Sequence, residues 1–220
     1  MVALKLFTTP FIPNPDLVQM YLHETGRQAS VQNINLSVGK GENRTSFNPN
    51  PLGEVPCLVL PDDTPLSESC CIVKYLDDAL GQTSIVGLTA ADRALTDMWL
   101  KRIEDKVEGP MGAAFRSGPM AKFFAPRRPG YIHPANVPGD QAAAQAGLRW
   151  VESVLAGDGR PFLCGERFSL ADLRFWNNCA FYARSDPSQS IPAELKHVTA
   201  YMARIVSQSL RIRRTQIRCR

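Results

Sequence analysis

The stretch LSESCCIV, residues 66–73, carries a serine and an acid where a helix is predicted to begin. Ser67 is a good N-cap residue, which places Glu68 and Ser69 in the first helical turn. A helix N-terminus offers unpaired amides and a positive dipole end, so a ligand carboxylate could bind the hydroxyl and amide of Ser69. Glu68 could accept an ammonium group. The pair suits an α-amino acid head group, although simple capping with an acid that complements the dipole explains it as well.

A second candidate element is NPLGEVPCLVL, residues 50–60. Pro56 directly precedes an apolar run, and a proline there marks a strand start or a tight turn with a cis peptide bond. If the bond is cis, the amide and carbonyl of Val55 face outward and can pair with an extended, peptide-like ligand. A purely structural proline fits the pattern equally well.

The third element is TTPFIPNPD, residues 8–16, which holds two threonines, three prolines and an asparagine. It follows the strand-like run ALKLF and precedes a helical pattern. Asn14 is the predicted N-cap of that helix, with Pro15 at the first helical position. The loop is either a rigid connector or one wall of an active site.

The elements that position these residues alternate between strand and helix over the first 80 residues. After ALKLF and the first helix, VQNINL predicts a second strand, CLVLP and residues 64–66 predict a hairpin, and residues 67–80 predict a helix. The order β-α-β, loop, β-β-α predicts an α/β layer with a mixed sheet of about four strands.

The second half of the chain has helical periodicity. Apolar residues recur every four positions in the first of its helices, at Leu95, Trp99, Ile103, Val107 and Met111. Residues 141–155, 169–184 and 193–209 predict further helices, while 81–89 has no periodicity. We therefore predict an α/β domain over 1–81, an all-helical domain over 90–210 and a basic tail over 211–220.

Composition predicts an ordinary globular protein with no membrane partner. No apolar run approaches the roughly 20 residues needed to span a bilayer, and the N-terminus is a poor signal peptide, so a cytoplasmic protein is expected. The net charge of +4 comes from five arginines in the last ten residues, without which 20 basic residues face 21 acidic ones. No aromatic residues interleave with those arginines, so nucleic acid is not an expected partner.

Six cysteines, at 57, 70, 71, 164, 179 and 219, include no C-x-x-C pair. Neither a dithiol redox motif nor a metal site is predicted from them. Free cysteines buried in a reducing compartment are the simplest interpretation.

The order and spacing of these motifs resemble the cytosolic glutathione S-transferase family over about residues 4–205. The most specific part is NPLGEVP followed by LSES, and FLCGERFSLADLRFW in the second half matches the family pattern that opens a core helix. In that stretch Ser169 and Asp172 form a predicted capping box, which concerns folding rather than catalysis. The resemblance implies a thioredoxin-like N-terminal domain, a helical-bundle C-terminal domain and a homodimer.

The resemblance also implies how glutathione, as co-substrate, would bind. Its cysteinyl backbone would pair with Val55 before cis-Pro56, and its γ-glutamyl head would meet Glu68 and Ser69. Its glycyl carboxylate would find a basic side chain in the loop before N-P. Two residues of that loop are candidates, first Lys40 and then Arg44.

The thiol of glutathione would then need a hydrogen-bond donor, because a free thiol with a pKa of about 8.5 is only slightly ionised at neutral pH. Ile12 occupies the place of the serine in related loops and cannot donate. The remaining donors are Asn14, Thr9 and Thr8, in that order, or backbone amides. The absence of Cys from this loop argues against a covalent, glutaredoxin-like mechanism.

The resemblance predicts a second, hydrophobic substrate, an electrophile bound by Phe11, Met111 and Phe115, although all three could be ordinary core residues. The predicted function is a glutathione transferase. Two alternatives stay open: a glutathione-dependent disulfide or peroxide reductase, and a non-catalytic ligand-binding or assembly module of the same fold.

Overall fold

The structure is a computed structural model that describes residues 4–36 and 48–209. The chain divides into two compact units, each with its own core. Unit 1 holds residues up to Leu88 together with Ser209, and unit 2 is Thr89–Gln208. No helix among the described residues is long and apolar enough to cross a membrane.

Unit 1 is built on a four-stranded mixed sheet in the order β2-β1-β3-β4. Its strands are β1 (Leu4–Thr8), β2 (Val31–Asn35), β3 (Cys57–Val59) and β4 (Pro65–Leu66). β1 runs parallel to β2 and antiparallel to β3, and β3 runs antiparallel to β4. A short loop can join the antiparallel strands β3 and β4, whereas the parallel strands β1 and β2 need a longer crossover connection, usually a helix.

Helix α1 (Pro13–Glu24) supplies that crossover, and α2 (Ser69–Leu80) packs against it. The predicted start of α1 was wrong by two residues: Ile12 is the N-cap, and Asn14 lies inside the first turn. The reason is Pro13, which is accommodated at the first helical position because it needs no N–H partner there.

A buried carboxylate ties the two helices of unit 1 together. Asp77 of α2 is fully buried, and its Oδ1 accepts hydrogen bonds from the Tyr21 hydroxyl of α1 at 3.1 Å and from the Thr83 hydroxyl at 2.6 Å. Arg27 donates to the same Tyr21 hydroxyl at 2.5 Å. These bonds satisfy polar groups that would otherwise be buried without partners.

Unit 2 is helical throughout its regular elements, which confirms the predicted fold class of an α/β layer followed by a helical bundle. Its helices are α3 (Ala90–Ile103), α4 (Gly109–Ser117), α5 (Ala121–Phe124), α6 (Val137–Asp158), α7 (Leu170–Ser185) and α8 (Lys196–Gln208). The first helix predicted for this half, with its apolar residues from Leu95 to Met111, is therefore not one regular helix. A π-helical segment, Glu104–Glu108, separates α3 from α4.

The π-helical segment directs Glu108 into the core of unit 2. Its carboxylate accepts a hydrogen bond from Arg174 Nε at 2.7 Å and another from Asn178 Nδ2 at 3.1 Å. Burial raises the pKa of Glu108 to about 7, while the Arg174 guanidinium works in the opposite direction.

Helix α6 crosses this segment at Gly147, where the two backbones nearly touch. A Cβ built on Gly147 would lie 1.9 Å from the carbonyl oxygen of Lys106. Only glycine permits this approach, since any side chain would overlap a backbone atom that cannot rotate away.

The capping box predicted at the start of α7 is confirmed. Asp172 is fully buried, and its Oδ2 accepts bonds from the N–H of Ser169 at 2.8 Å and from the Ser169 hydroxyl at 2.7 Å. Its Oδ1 accepts from the N–H of Leu163 at 2.8 Å and from the hydroxyl of Tyr201 in α8 at 2.6 Å. One carboxylate thus joins the start of α7, the preceding loop and α8.

Candidate functional site

The sheet topology brings the three predicted site segments of unit 1 to one edge. β1 and β3 are antiparallel with Phe7 opposite Cys57, so the end of β1 lies beside the start of β3. β3 and β4 pair with Leu58 opposite Leu66, so the end of β4 lies at the same edge. The loop after β1, the Val55–Pro56 turn and the start of α2 therefore converge.

Helix α2 begins at Ser69, one residue later than predicted, and its N-cap is Glu68 rather than Ser67. Glu68 is exposed and has a φ of 66°, a left-handed conformation that costs a non-glycine residue on the order of 1–3 kcal/mol. Because the chain turns here, the helix cannot include Glu68 and starts after it. Backbone strain from a left-handed residue is common at functional sites.

Ser69 is 6% exposed, and no described residue forms a hydrogen bond with its hydroxyl. The first backbone bond of the helix runs from Ile72 N–H to the Glu68 carbonyl at 2.9 Å, so the Ser69 N–H precedes the intrahelical ladder. A nearly buried hydroxyl and an amide of the same residue thus lie at the positive end of the helix dipole. The arrangement can bind a carboxylate.

The Val55–Pro56 peptide bond is cis, as the sequence suggested. Val55 is half-buried and Pro56 is buried at the start of β3. Cys57, which follows, is fully buried, and burial raises the pKa of its thiol. Cys57 is therefore unsuited to act as a nucleophile here.

Two asparagines that the sequence interpretation missed hold this turn in place. Asn48 Nδ2 and Asn50 Nδ2 both donate to the Glu54 carbonyl, at 2.8 and 3.0 Å. Both residues are nearly buried. We call this pair the asparagine clamp, and it fixes the backbone immediately before Val55.

Part of the asparagine clamp is predictable from the sequence, because its two asparagines form turns of a known type. The N–H of Asn50 donates to Asn48 Oδ1 at 3.0 Å, and the N–H of Leu52 donates to Asn50 Oδ1 at 3.1 Å. These are consecutive turns in which an asparagine side chain accepts from the backbone two residues later. The repeat N-P-N-P at 48–51 is typical of such turns, although it does not reveal that both amides share one carbonyl.

The two threonines at the end of β1, Thr8 and Thr9, both form hydrogen bonds with the backbone of Leu36. Thr9 is nearly buried, and its hydroxyl donates to the Leu36 carbonyl at 2.5 Å. Thr8 is the last residue of β1, where its carbonyl accepts from the Leu36 N–H at 2.8 Å. The single hydroxyl hydrogen of Thr9 is thus engaged, which leaves it no proton to donate to a ligand.

Asn14 lies exposed in the first turn of α1. Pro13 and Pro15 on either side have no N–H, and the Asp16 N–H bonds to the Ile12 carbonyl at 3.1 Å. Within the described residues, the Asn14 N–H has no acceptor. The first turn of α1 therefore offers one backbone donor and one side-chain amide, both from Asn14.

The predicted apolar pocket residues have different environments within their own units. Phe11 is 77% exposed with a φ of 68°. Phe115 is half-buried and packs edge-on against Phe181, with ring centroids 5.4 Å apart. Met111 is fully buried in unit 2, and its part in a substrate pocket stays a prediction.

Lys40 and Arg44 lie outside the described residues, as does the tail 211–220. Within 4–36 and 48–209, no group of three or more His, Cys, Asp or Glu could hold a metal ion. The five cysteines described there are free, and Cys71 is exposed rather than buried as expected.

Sequence comparison decides the family. The profile of the glutathione S-transferase N-terminal domain matches residues 13–79, and that of the C-terminal domain matches residues 134–204. The chain belongs to the glutathione S-transferase family. The N-terminal match includes Asn14, the asparagine clamp, the Val55–Pro56 turn and Ser69, and it begins after residues 9–12 of the loop that follows β1.

Relatives in this family are distant. Glutathione S-transferase 2 of Saccharomyces cerevisiae is 27% identical over 175 residues, which are 76% of this chain and 71% of that protein. A solved glutathione S-transferase domain-containing protein of Marinobacter aquaeolei VT8 has a TM-score of 0.79 at 29% identity, covering 92% of this chain and 97% of the other. A probable elongation factor 1-gamma 2 of Arabidopsis thaliana is 28% identical over 162 residues, which are 72% of this chain but 36% of that protein.

Proposed function

We propose that this member of the glutathione S-transferase family is a glutathione transferase, which activates the thiol of glutathione for attack on a hydrophobic electrophile. The observation that carries the proposal is the Ser69 hydroxyl, nearly buried and without a partner among the described residues, at the start of α2. It lies at the same sheet edge as Val55–Pro56 and the Asn14 turn.

In this proposal the γ-glutamyl carboxylate binds the hydroxyl and N–H of Ser69, and the ammonium group binds Glu68. The exposure of Glu68 and its place directly before Ser69 are consistent with that role. The cysteinyl backbone pairs with Val55, held by the asparagine clamp. Lys40 or Arg44 remains the proposed partner of the glycyl carboxylate.

Replacement of Ser69 by alanine should weaken glutathione binding by about 1.5–3 kcal/mol, the contribution of a hydrogen bond to a charged group. Titration calorimetry with reduced glutathione measures this change. Ser67→Ala is the control: it removes the hydroxyl of a neighbouring serine and should leave the dissociation constant for glutathione unchanged. An unchanged constant in Ser69→Ala would remove Ser69 from the site.

We propose Asn14 as the donor that stabilises the thiolate, through its exposed side-chain amide. Thr9 is disfavoured because its hydroxyl hydrogen is engaged by Leu36, and Ile12 has no donor. The helix dipole of α1 also favours the thiolate. Pro13 and Pro15 have no N–H, however, so fewer free backbone donors lie at the positive end of this helix. The contribution of the Asn14 side chain is therefore expected to dominate.

Asn14→Ala should raise the pKa of the bound thiol by about one unit, which corresponds to about 1.4 kcal/mol. At pH values below the pKa of the wild-type complex, the thiolate fraction and with it kcat/KM should therefore fall about tenfold, and the loss should shrink as the pH rises above that pKa. The absorbance of the thiolate, titrated in the complex, gives the pKa directly. Thr9→Val serves as the comparison and should leave the pKa unchanged; a shift there and none in Asn14→Ala would reverse the assignment.

The reaction is a displacement or addition at carbon. The glutathione thiol loses its proton to solvent, and the thiolate sulfur forms a bond to the electrophilic carbon. In a displacement the leaving group departs with its electron pair, and in an addition the acceptor keeps that pair and takes a proton from solvent. Retention on immobilised glutathione followed by turnover of an aryl halide tests the function. Retention without turnover of any of several electrophiles would contradict it.

A non-catalytic role is the second candidate, because Ile12, which caps α1, supplies no hydroxyl at the expected donor position. The similarity to a probable elongation factor 1-gamma 2 also favours an assembly or ligand-binding module. A glutathione-dependent reductase is the remaining alternative, and a higher rate with a glutathionyl mixed disulfide than with an aryl halide would support it. Homodimeric assembly in the cytoplasm stays a prediction.

A further inference from the structure

Unit 2 carries a concentration of positive charge between α4 and α6. Residues 109–139 contain no aspartate or glutamate, and four cations lie among them, at Arg116, Lys122, Arg127 and Arg128. Because the chain ahead of the basic tail has 20 basic and 21 acidic residues, four cations without an acid are a strong local excess. We call residues 116–133 the basic aromatic segment.

Aromatic side chains alternate with the cations of this segment. Phe123 and Phe124 follow Lys122, and Tyr131 comes three residues after the Arg127–Arg128 pair. The basic tail has no such alternation, and the tail was the reason for expecting no nucleic-acid partner. A positive surface with aromatic rings on which bases can stack is typical of proteins that bind single-stranded nucleic acid.

The basic aromatic segment is ordered by its own backbone hydrogen bonds. Both N–H groups of the Arg127–Arg128 pair donate to the Phe124 carbonyl, at 2.9 and 2.8 Å, and the Tyr131 N–H donates to the carbonyl of the second arginine at 3.1 Å. The end of the segment is tied to α4, because the His133 N–H donates to the buried Ser117 hydroxyl at 3.1 Å. Tyr131 and the arginine pair are thus held close together, which lowers the entropy cost of binding a ligand.

The cations and one aromatic ring of the segment face solvent. Lys122 and the Arg127–Arg128 pair are exposed, and Tyr131 is 75% exposed. Neither Lys122 nor Arg127 forms an ion pair with a carboxylate of residues 4–36 or 48–209. The guanidinium of Arg127 lies 3.9 Å from the Phe123 ring centroid and donates to the Phe123 carbonyl at 2.7 Å, so its charge has a fixed position.

The other rings show which polyanion fits best. Phe123 and Phe124 are half-buried and pack edge-on with centroids 5.0 Å apart, and Phe124 also contacts Phe115 at 6.4 Å. Tyr131 is therefore the one large ring of the segment that protrudes, whereas binding to a lipid surface depends on several inserted apolar side chains. Helix α5 has four residues, too few to enter a groove of a nucleic-acid duplex as a reading helix.

We propose that the basic aromatic segment binds single-stranded nucleic acid, with a base stacked on Tyr131 and the adjoining phosphates against Lys122 and the Arg127–Arg128 pair. A single strand satisfies both kinds of side chain, because each nucleotide carries a phosphate and a flat base with an accessible face. An acidic peptide would use the cations and leave the ring without a partner. This binding surface belongs to unit 2 and is additional to the proposed glutathione site.

The test measures binding of the full chain to a fluorescein-labelled oligo(dT) of about twelve nucleotides by fluorescence anisotropy. Tyr131→Ala should raise the dissociation constant about tenfold, the contribution of one stacked base, whereas Tyr131→Phe keeps the ring and should retain the affinity. The same comparison is made in a full-length variant whose five tail arginines are glutamine, because those arginines would add phosphate contacts of their own. The loss in Tyr131→Ala should persist there.

Salt dependence measures the charge contribution separately. In the tail variant a fourfold rise in salt concentration should weaken binding about 20- to 50-fold, as for about three or four phosphate contacts. Lys122→Gln should reduce the slope of log K against log salt by about 0.7, the value for one phosphate of a single strand. Arg149→Gln removes an exposed cation of α6, outside the segment, and should leave the slope unchanged.

An unchanged dissociation constant in Tyr131→Ala would overturn the proposal, and so would equal losses in Lys122→Gln and Arg149→Gln, since a general charge effect would then explain the binding. Lys122 and Tyr131 are exposed, so their variants are expected to fold, and a circular dichroism melt checks this.

Two competitors distinguish the other polyanions. At equal anionic charge, polyglutamate and phosphatidylserine vesicles should each displace the oligonucleotide at least about tenfold less effectively than unlabelled oligo(dT) does. Equal displacement by either competitor would overturn the assignment to nucleic acid, in favour of an acidic peptide or a lipid surface.

Discussion

Asp172→Ala is expected to lower the free energy of unfolding by about 3–5 kcal/mol. The substitution leaves the N–H of Leu163, the N–H and hydroxyl of Ser169 and the hydroxyl of Tyr201 without the acceptor they share. Asp172 is fully buried, so bulk water does not reach these donors in the folded protein. Urea unfolding followed by circular dichroism measures the change.

The chain offers a matched control in a second capping box. Asp92 at the start of α3 accepts from the Thr89 hydroxyl at 2.8 Å, and the box is largely exposed to solvent. Asp92→Ala should cost only about 1 kcal/mol, the usual contribution of an exposed cap. Equal losses in the two variants would show that burial of Asp172 contributes nothing beyond local capping.

The second large effect is expected for Gly147→Ala, at about 3 kcal/mol or more. The added methyl would overlap the Lys106 carbonyl oxygen, at 1.9 Å, and its carbon, at 2.7 Å. Neither atom can rotate aside, so α6 must move away from the π-helical segment and loosen the core between them. The midpoint of urea unfolding should fall accordingly.

Gly157→Ala, in the same helix, is the control for this prediction. Nothing lies within 4 Å of a Cβ built there, so alanine should stabilise the helix by about 0.5–1 kcal/mol. The two substitutions add the same methyl group to the same helix with opposite expected signs. If Gly147→Ala also stabilises the protein, the contact between α6 and the π-helical segment is looser than described.

The sheet edge was largely predictable from sequence. The V-P dipeptide before an apolar run and the serine-acid pair after a short hairpin indicated both the cis turn and the start of α2. The helix starts were harder to predict than the turn. With Pro13 in its first turn, α1 begins two residues earlier than a simple N-cap rule predicts, whereas α2 begins one residue later because of the left-handed Glu68. Backbone conformation at single residues depends on how the chain leaves the sheet, which local propensity does not contain.

The π-helical segment also left a trace in the sequence. Apolar residues at intervals of four drift by about 40° per step around a regular α-helix, so they cannot all lie on one face for long. The wider π-turn absorbs that drift, and Ile103, Val107 and Met111 are all fully buried as a result. The strict period of four is thus a sign of an irregular helix, although it also fits the pattern expected for a regular one.

The asparagine clamp has a consequence for the chemical lifetime of the site. Deamidation of asparagine proceeds through attack of the following backbone nitrogen on the side-chain amide, and a proline nitrogen, which bears no hydrogen, cannot make that attack in the usual way. Asn48, Asn50 and Asn14 are each followed by proline. The three side-chain amides on which the proposed site depends are therefore protected against slow conversion to carboxylates, and an aged sample should retain them.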